Sequence, residues 1–256
     1  MIEIYVPTSA FSMPYFDYLV KNYQNTADCP SKISFHPVIL RGYGSMGHAN
    51  GIRDCLDAPS SSDNVVRIIA DSDTVMLCKG WDSILLTICK PGKRIVMGTS
   101  YEAIGGFSSG NSTVQTYKNR STMSWIAIPT FILPEFKTFD TSPVKQANIS
   151  INSIELSQRF GLPIGYELLR DACWSLPQFL DENGIEDTPL YHAKPTMDAL
   201  ALKTGNDYHE EYQIINSEFT VPFVGHQRGS MKHPFRGNDI SKSFYDQVEN
   251  YLLGQL

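Results

Sequence analysis

The chain has no apolar run of membrane-spanning length, no closely spaced cysteine pair and no surplus of positive charge. A membrane-crossing helix needs roughly 20 consecutive apolar residues, and none is present. The opening MIEIYVPTSAF lacks the basic start and long apolar stretch of a secretion signal. The five cysteines, at Cys29, Cys55, Cys78, Cys89 and Cys173, contain no CxxC spacing, so neither a structural zinc nor a disulfide framework is expected. Reduced thiols and no signal place the expectation in the cytoplasm. With 21 Lys and Arg against 27 Asp and Glu, the net charge is -6. That balance disfavours a duplex nucleic-acid binder, which carries a basic face. There is no internal repeat, no low-complexity segment and no linker, so residues 1–256 read as one domain.

What is present begins with alternation. IEIYVP is a short strand stopped at Pro7, PYFDYLVKNYQN has helical spacing, and KISFHPVIL is a second strand. RGYGSMGHANGIRDCLDA passes from a glycine-rich turn into a helix with Ala49, Ile52 and Leu56 on its apolar face. VVRIIA is a third strand, WDSILLTIC a helix and KRIVMGTS another strand. Strand–helix alternation over the first hundred residues predicts an α/β layered sheet. Further on, YEAIGGFSSGNSTVQTYKNRSTMS is polar and without period, WIAIPTFILPEF has strand character, and 151–183 is expected to be largely helical. A helix, DISKSFYDQVENYLLGQL, closes the chain.

One strand ends oddly. VVRIIADSDTVM runs apolar into Asp71-Ser72-Asp73 and back to apolar residues. Two carboxylates at the end of a buried strand repel each other unless a cation or a ring of donors offsets them. At a strand's end the chain turns, so both acids can face one ligand, and ligands of open α/β sheets collect there. Mn²⁺ or Mg²⁺ takes such oxygen ligands and keeps positions open for diphosphate oxygens. The alternative is a loop with two solvated acids, one capping the next helix.

GSMGHANGIRDCL, then VVRIIADSDTVM, then Gly80-Trp81-Asp82 resemble, in order and spacing, the nucleotide-binding half of GT-A glycosyltransferases, family-2-like members above all. The resemblance implies a nucleotide-diphospho-sugar-transferase-like mixed sheet flanked by helices. Residues 1–100 would bind the sugar nucleotide, and 101–256 would carry the acceptor half and the C-terminal region. Thr8 and Arg41 would lie near the base or ribose, although an acid is more usual at the second position. Gly47 and His48, opening a helix, would approach ribose or phosphates; His48 could equally be a cap or packing residue. Asp71, Ser72 and Asp73 would form the donor and metal turn. His226 would be a late metal ligand, with Arg228 and Ser230 near the diphosphate and His233 as the alternative.

For the acceptor, Asp171-Ala-Cys-Trp174 is similar to a D-x-G-W helix start in which the acid lies beside the acceptor. Asp171 is therefore the expected base, with Glu167, one helical turn earlier, in reserve; a solvated surface helix is the other reading. Cys173 stands where glycine is common. The loop 104–113 could close over the donor. Tyr101, Phe107, Tyr117, Trp125 and Trp174 could form a sugar platform, or belong to the core.

The activity implied is metal-dependent transfer of a sugar from a nucleoside diphosphate to a glycan or other hydroxyl acceptor, with inversion. A modified DNA base remains a special case of that acceptor. Two other classes compete. ADSDTVM also fits the haloacid-dehalogenase-like phosphatase element with Asp71 as nucleophile, RIVMGTS and LKTGND supplying its later motifs. A non-catalytic carbohydrate-binding module is the third.

Overall fold

A computed structural model of the chain describes residues 1–10, 12–42, 44–60, 65–90, 92–100, 119–142, 149–150, 153–154, 167–168, 172–193, 208–215, 220–228, 246 and 248–254. Its elements run β1 (Ile2–Thr8), α1 (Met13–Thr26), β2 (Ile33–Ile39), α2 (Gly44–Asp57), β3 (Val66–Ala70), β4 (Thr74–Met76), α3 (Trp81–Ile88) and β5 (Ile95–Ser100). They continue with β6 (Ser121–Pro129), a 3-10 helix (Thr130–Thr138), β7 (Ile149–Ser150), β8 (Glu167–Leu168), α4 (Leu176–Glu182), β9 (Glu186–Ala193), β10 (Tyr208–Ile215) and β11 (Thr220–Arg228). Residues 248–253 are helical.

Nine strands form one mixed sheet in the order β2-β1-β3-β6-β5-β9-β10-β11-β4. β1 is parallel to β2 and β3, and β5 to β9, whereas β6 runs antiparallel to both β3 and β5. β9 bridges two regions: 186–190 lie beside β5, and 191–193 pair antiparallel with β10. β3 and β4 lie far apart in strand order, yet only residues 71–73 separate them in the chain. The sheet therefore curls until β4 reaches the carboxyl end of β3.

Alternation on the strands assigns the two faces. Ile2, Ile4 and Val6 of β1 and Val66, Ile68 and Ala70 of β3 pack with Phe16, Leu19 and Tyr23 of α1 and Trp81 and Leu85 of α3. Tyr5 and Ile69 face the other way, onto Ile52, Cys55 and Leu56 of α2 and a cluster with Phe136, Phe179 and Leu180. All five β3 residues are buried, as expected of a strand covered on both sides. Gly51 is fixed by this packing: a Cβ there would lie 2.4 Å from Leu40 Cδ2 and 3.1 Å from Pro7 Cβ.

One expectation is corrected. WIAIPTFILPEF is strand only to Pro129 and then a 3-10 helix containing Pro134; a ring without an N–H cannot extend a ladder. Of 151–183, expected to be largely helical, the described residues include the short strand β8, paired with β7, and the helix α4, while 155–166 and 169–171 lie outside the described residues. Pro177 lies in the first turn of α4, where its missing N–H costs nothing.

On the α2 face Arg67 is fully buried. Its Nη1 donates to the carbonyls of Cys55, Leu56 and Ala58 at the end of α2, and its Nη2 to Pro59 O and to buried Glu3 Oε2 at 3.2 Å. The guanidinium lies 4.3 Å over the Tyr5 ring. Carbonyls left over at a helix end and a buried carboxylate thus share one cation. Arg67→Met should lower unfolding free energy by about 3–5 kcal/mol in urea titration, because the buried Glu3 carboxylate loses the cation that offsets its charge. Adding Glu3→Gln should recover part of the loss.

The cysteines behave as sequence spacing suggests: all are free, Cys29 exposed and the other four buried. Burial pushes the thiols of Cys78 and Cys89 up to about 12 and Cys55 higher still. At neutral pH, a thiol-exchange reagent should therefore titrate one cysteine in the native protein and all five after denaturation.

Candidate metal centre

β3 delivers Asp71 to the carboxyl edge of the sheet, where Asp71 N–H still donates to Ser124 O of β6 at 2.8 Å. The chain then turns: Thr74 N–H donates to Asp71 O at 3.2 Å. Ser72 and Asp73 are buried within this turn. β4 follows and pairs antiparallel with β11, placing Thr74 opposite His226, Val75 opposite Gly225 and Met76 opposite Val224. A histidine from the last third of the chain is thereby brought onto the two acids.

One donor atom each of Asp71, Asp73 and His226 lie within 4.8 Å of one another. His226 Nε2 is 3.3 Å from Asp73 Oδ1 and 3.6 Å from Asp71 Oδ2. Bonds of about 2.1 Å at right angles separate neighbouring donors by about 3 Å, so the spacing suits one divalent cation. Two carboxylate oxygens and an imidazole are hard-to-borderline donors of the kind a divalent cation takes. With the side chains of Asp73 and His226 each only 7% exposed, solvent does little to screen the acids, and a cation between them meets their charge directly.

His48, in the second turn of α2, places Nε2 2.8 Å from Asp71 Oδ1. A carboxylate only accepts, so Nε2 carries the proton, and the bond fixes which oxygen Asp71 turns toward His226. Behind the turn lies a buried set of hydroxyls. Thr74 Oγ1 donates to Asp71 O at 2.8 Å and lies 3.0 Å from Tyr23 Oη, which accepts from Trp125 Nε1 at 3.0 Å. Burial raises the Tyr23 phenol well above its ordinary range, against the opposing pull of the Thr74 and Trp125 hydrogen bonds; it is neutral at any working pH.

The other sequence-derived residues fall as follows. Thr8 ends β1, fully buried, its Oγ1 without a hydrogen-bond partner among the described residues. Arg41 is exposed and pairs with Asp54 of α2. Gly47 is explained by packing: a Cβ there would lie 2.6 Å from the carbonyl oxygen of Gly42, a residue at φ 108°. Trp81 opens α3 and donates to Tyr23 O, while Asp82 accepts from the amides of Asp28 and Cys29, so this pair ties α3 to the end of α1. Trp125 is fully buried in the core.

Arg228 ends β11 and Glu167 opens β8, a strand, so no helical face carries Glu167. Asp171, Ser230, His233, the loop 104–113, Tyr101, Phe107 and Tyr117 lie outside the described residues. Cys173, beside Asp171, has φ 61°, the left-handed backbone that favours glycine. Sequence reasoning missed Thr74 and Tyr23; a three-residue strand leaves no period, and a tyrosine at helical spacing reads as core.

No family model and no curated protein matches this chain. Among solved structures it is similar to A197 from STIV, with 14% identity, 62% of this chain and 76% of that one covered, and a TM-score of 0.31. It is also similar to a Bacillus anthracis protein named as a glucose-1-phosphate thymidylyltransferase, in complex with sucrose. There the identity is 11%, with 74% of this chain and 86% of that one covered and a TM-score of 0.35. Both scores lie below the level at which a shared fold follows, so the centre is read from its own geometry. Among the described residues, no helix is long and apolar enough to cross a membrane.

If the cluster takes a cation, Mn²⁺ should raise the melting temperature of the wild type, and a chelator should reverse the rise, because a ligand of the folded state stabilises it. Asp73→Ala should melt at one temperature with and without Mn²⁺.

Proposed function

We propose that the chain is a metal-dependent glycosyltransferase, moving a sugar from a nucleoside diphosphate to a hydroxyl of a glycan or other acceptor, with inversion. The observation that carries the reading is the meeting of Asp71, Asp73 and His226 within 4.8 Å at the carboxyl end of β3. It adds a third ligand, from far along the chain, to the acid turn through which the sequence resembles GT-A enzymes. Asp71, Asp73 and His226 would hold Mn²⁺ or Mg²⁺, whose charge, when bound, would stabilise the departing diphosphate.

The chain's own residues account for the rest of the reading. His48 orients Asp71 through its 2.8 Å bond. Thr8 Oγ1, at the end of β1 and without a hydrogen-bond partner among the described residues, would lie toward the ribose or base. Asp171, with Glu167 in reserve, would take the acceptor's proton as its oxygen bonds to the anomeric carbon. The bond from that carbon to the diphosphate oxygen breaks, and the electron pair leaves with the diphosphate.

The phosphatase reading loses ground on geometry. Antiparallel β6 lies between β3 and β5, so the strand of RIVMGTS does not neighbour the strand of Asp71. Thr99 and Ser100 are buried, their hydroxyls bonded to Thr122 Oγ1 and Leu190 O. LKTGND lies outside the described residues. A carbohydrate-binding module would bind glycan regardless of metal and of both aspartates.

A thermal-shift panel of nucleoside diphosphates and sugar nucleotides, with and without Mn²⁺, tests the proposal. At least one nucleotide should stabilise the wild type only with Mn²⁺, and Asp73→Ala should abolish that gain. Asp171→Asn should keep it while lowering turnover by about 10²–10⁴-fold. Phosphate-ester hydrolysis that dies on Asp71→Asn, without nucleotide binding, would favour the phosphatase instead.

A further inference from the structure

The hydroxyls behind the acid turn have fixed direction. Trp125 Nε1 can only donate, so Tyr23 Oη accepts from it at 3.0 Å. At the far end Asp71 O can only accept, so the Thr74 hydroxyl hydrogen goes to it at 2.8 Å. Tyr23 has one hydrogen left and Thr74 none, so Tyr23 donates across the 3.0 Å between them. The sequence of bonds is Trp125 N–H to Tyr23 O–H to Thr74 O–H to Asp71 C=O. Trp125 and Tyr23 are fully buried, as is Thr74, so water does not compete for any link.

Both ends of this relay are anchored. Trp125 is on β6, opposite Ala70 of β3. Tyr23 is held on α1, where its own carbonyl accepts from Trp81 Nε1 at 3.0 Å. Thr74 grips Asp71 O with its amide as well as its hydroxyl and is the cross-strand partner of His226. One residue therefore links those on either side of the centre, through its backbone to His226 and through amide and hydroxyl to Asp71, and Tyr23 fixes the rotation of its hydroxyl-bearing side chain.

We propose that Thr74 and Tyr23 are positioning residues for the metal centre: their buried hydroxyls lock the turn so that Asp71, Asp73 and His226 meet one cation without rearrangement. The inference rests on the metal reading of that cluster and names what sets its affinity. Neither residue touches the cation; each acts through the backbone of Asp71.

The test is Mn²⁺ affinity, measured by calorimetry on the full chain. Thr74→Val keeps the shape and removes the hydroxyl; it should raise the Mn²⁺ Kd about 10–100-fold, in the range found for groups that orient ligands. Thr74→Ser restores the hydroxyl and should bring Kd back to within about threefold of wild type. Tyr23→Phe, the second probe should Thr74→Val not fold, should weaken Mn²⁺ binding by at least about tenfold. A merely structural role would lower the melting temperature and leave Kd of the folded protein alone. Wild-type Kd in folded Thr74→Val or Tyr23→Phe overturns the proposal while the metal reading stands. A wild type that binds no Mn²⁺ overturns the metal reading and the relay's role together.

Discussion

Two carboxylates and an imidazole packed into one buried corner set the terms for this fold. Asp71 and Asp73 are separated by a single residue, and Asp73 and His226 are buried. Like charges so close in a poorly screened place raise the free energy of the folded state unless positive charge lies between them. A cation among them would supply it, and His48 already donates to Asp71. Topology and electrostatics are here one problem: the three residues 71–73 join strands at distant places in the sheet order. The sheet must curl to bring β4 round, and the curl is what delivers β11 and its histidine.

β3 does more than end in an acid. Arg67, Ile69 and Asp71 alternate onto the α2 face, and α2 is gripped at both ends by that row. Arg67 binds the carbonyls at its C-terminus, and Asp71 accepts from His48 near its start. A helix attached at one end can tilt; attached at two it holds His48 at a constant distance. The buried arginine in an otherwise apolar VVRIIA is explained by that grip, and its charge is offset by Glu3 from the adjacent strand β1.

Much of the first hundred residues was legible because period and punctuation agree there. β1, α1, β2, α2, β3, α3 and β5 each carry their own apolar spacing and are bounded by glycine, proline or polar residues. The acid turn was legible as an anomaly, charge where burial was due. β4 was not: three residues, TVM, are too few to show alternation, and they become a strand because β11 is there to pair. Glu167 was expected on a helix, one turn before Asp171, yet Glu167 and Leu168 pair as β8 with β7, tertiary pairing overriding a weak local preference. His226 was reached through the family resemblance and its place after an apolar strand. The register that seats it opposite Thr74 is that of the β4–β11 pair, which no local pattern announces.

The motifs that resemble GT-A enzymes lie in the first hundred residues, but those residues alone do not make the centre. They supply Asp71, Asp73, His48, Tyr23 and Thr74; the third candidate ligand, His226, and the Trp125 donor come from β11 and β6. β4 itself, lying between the turn and α3, has β11 as its neighbour in the sheet. Contacts of such long range close long loops, so the pairing must offset the entropy of that closure. The centre is therefore assembled by the completed sheet. A relay that fixes the acid turn from the core side then leaves one remaining approach, that of β11, to bring His226 into range.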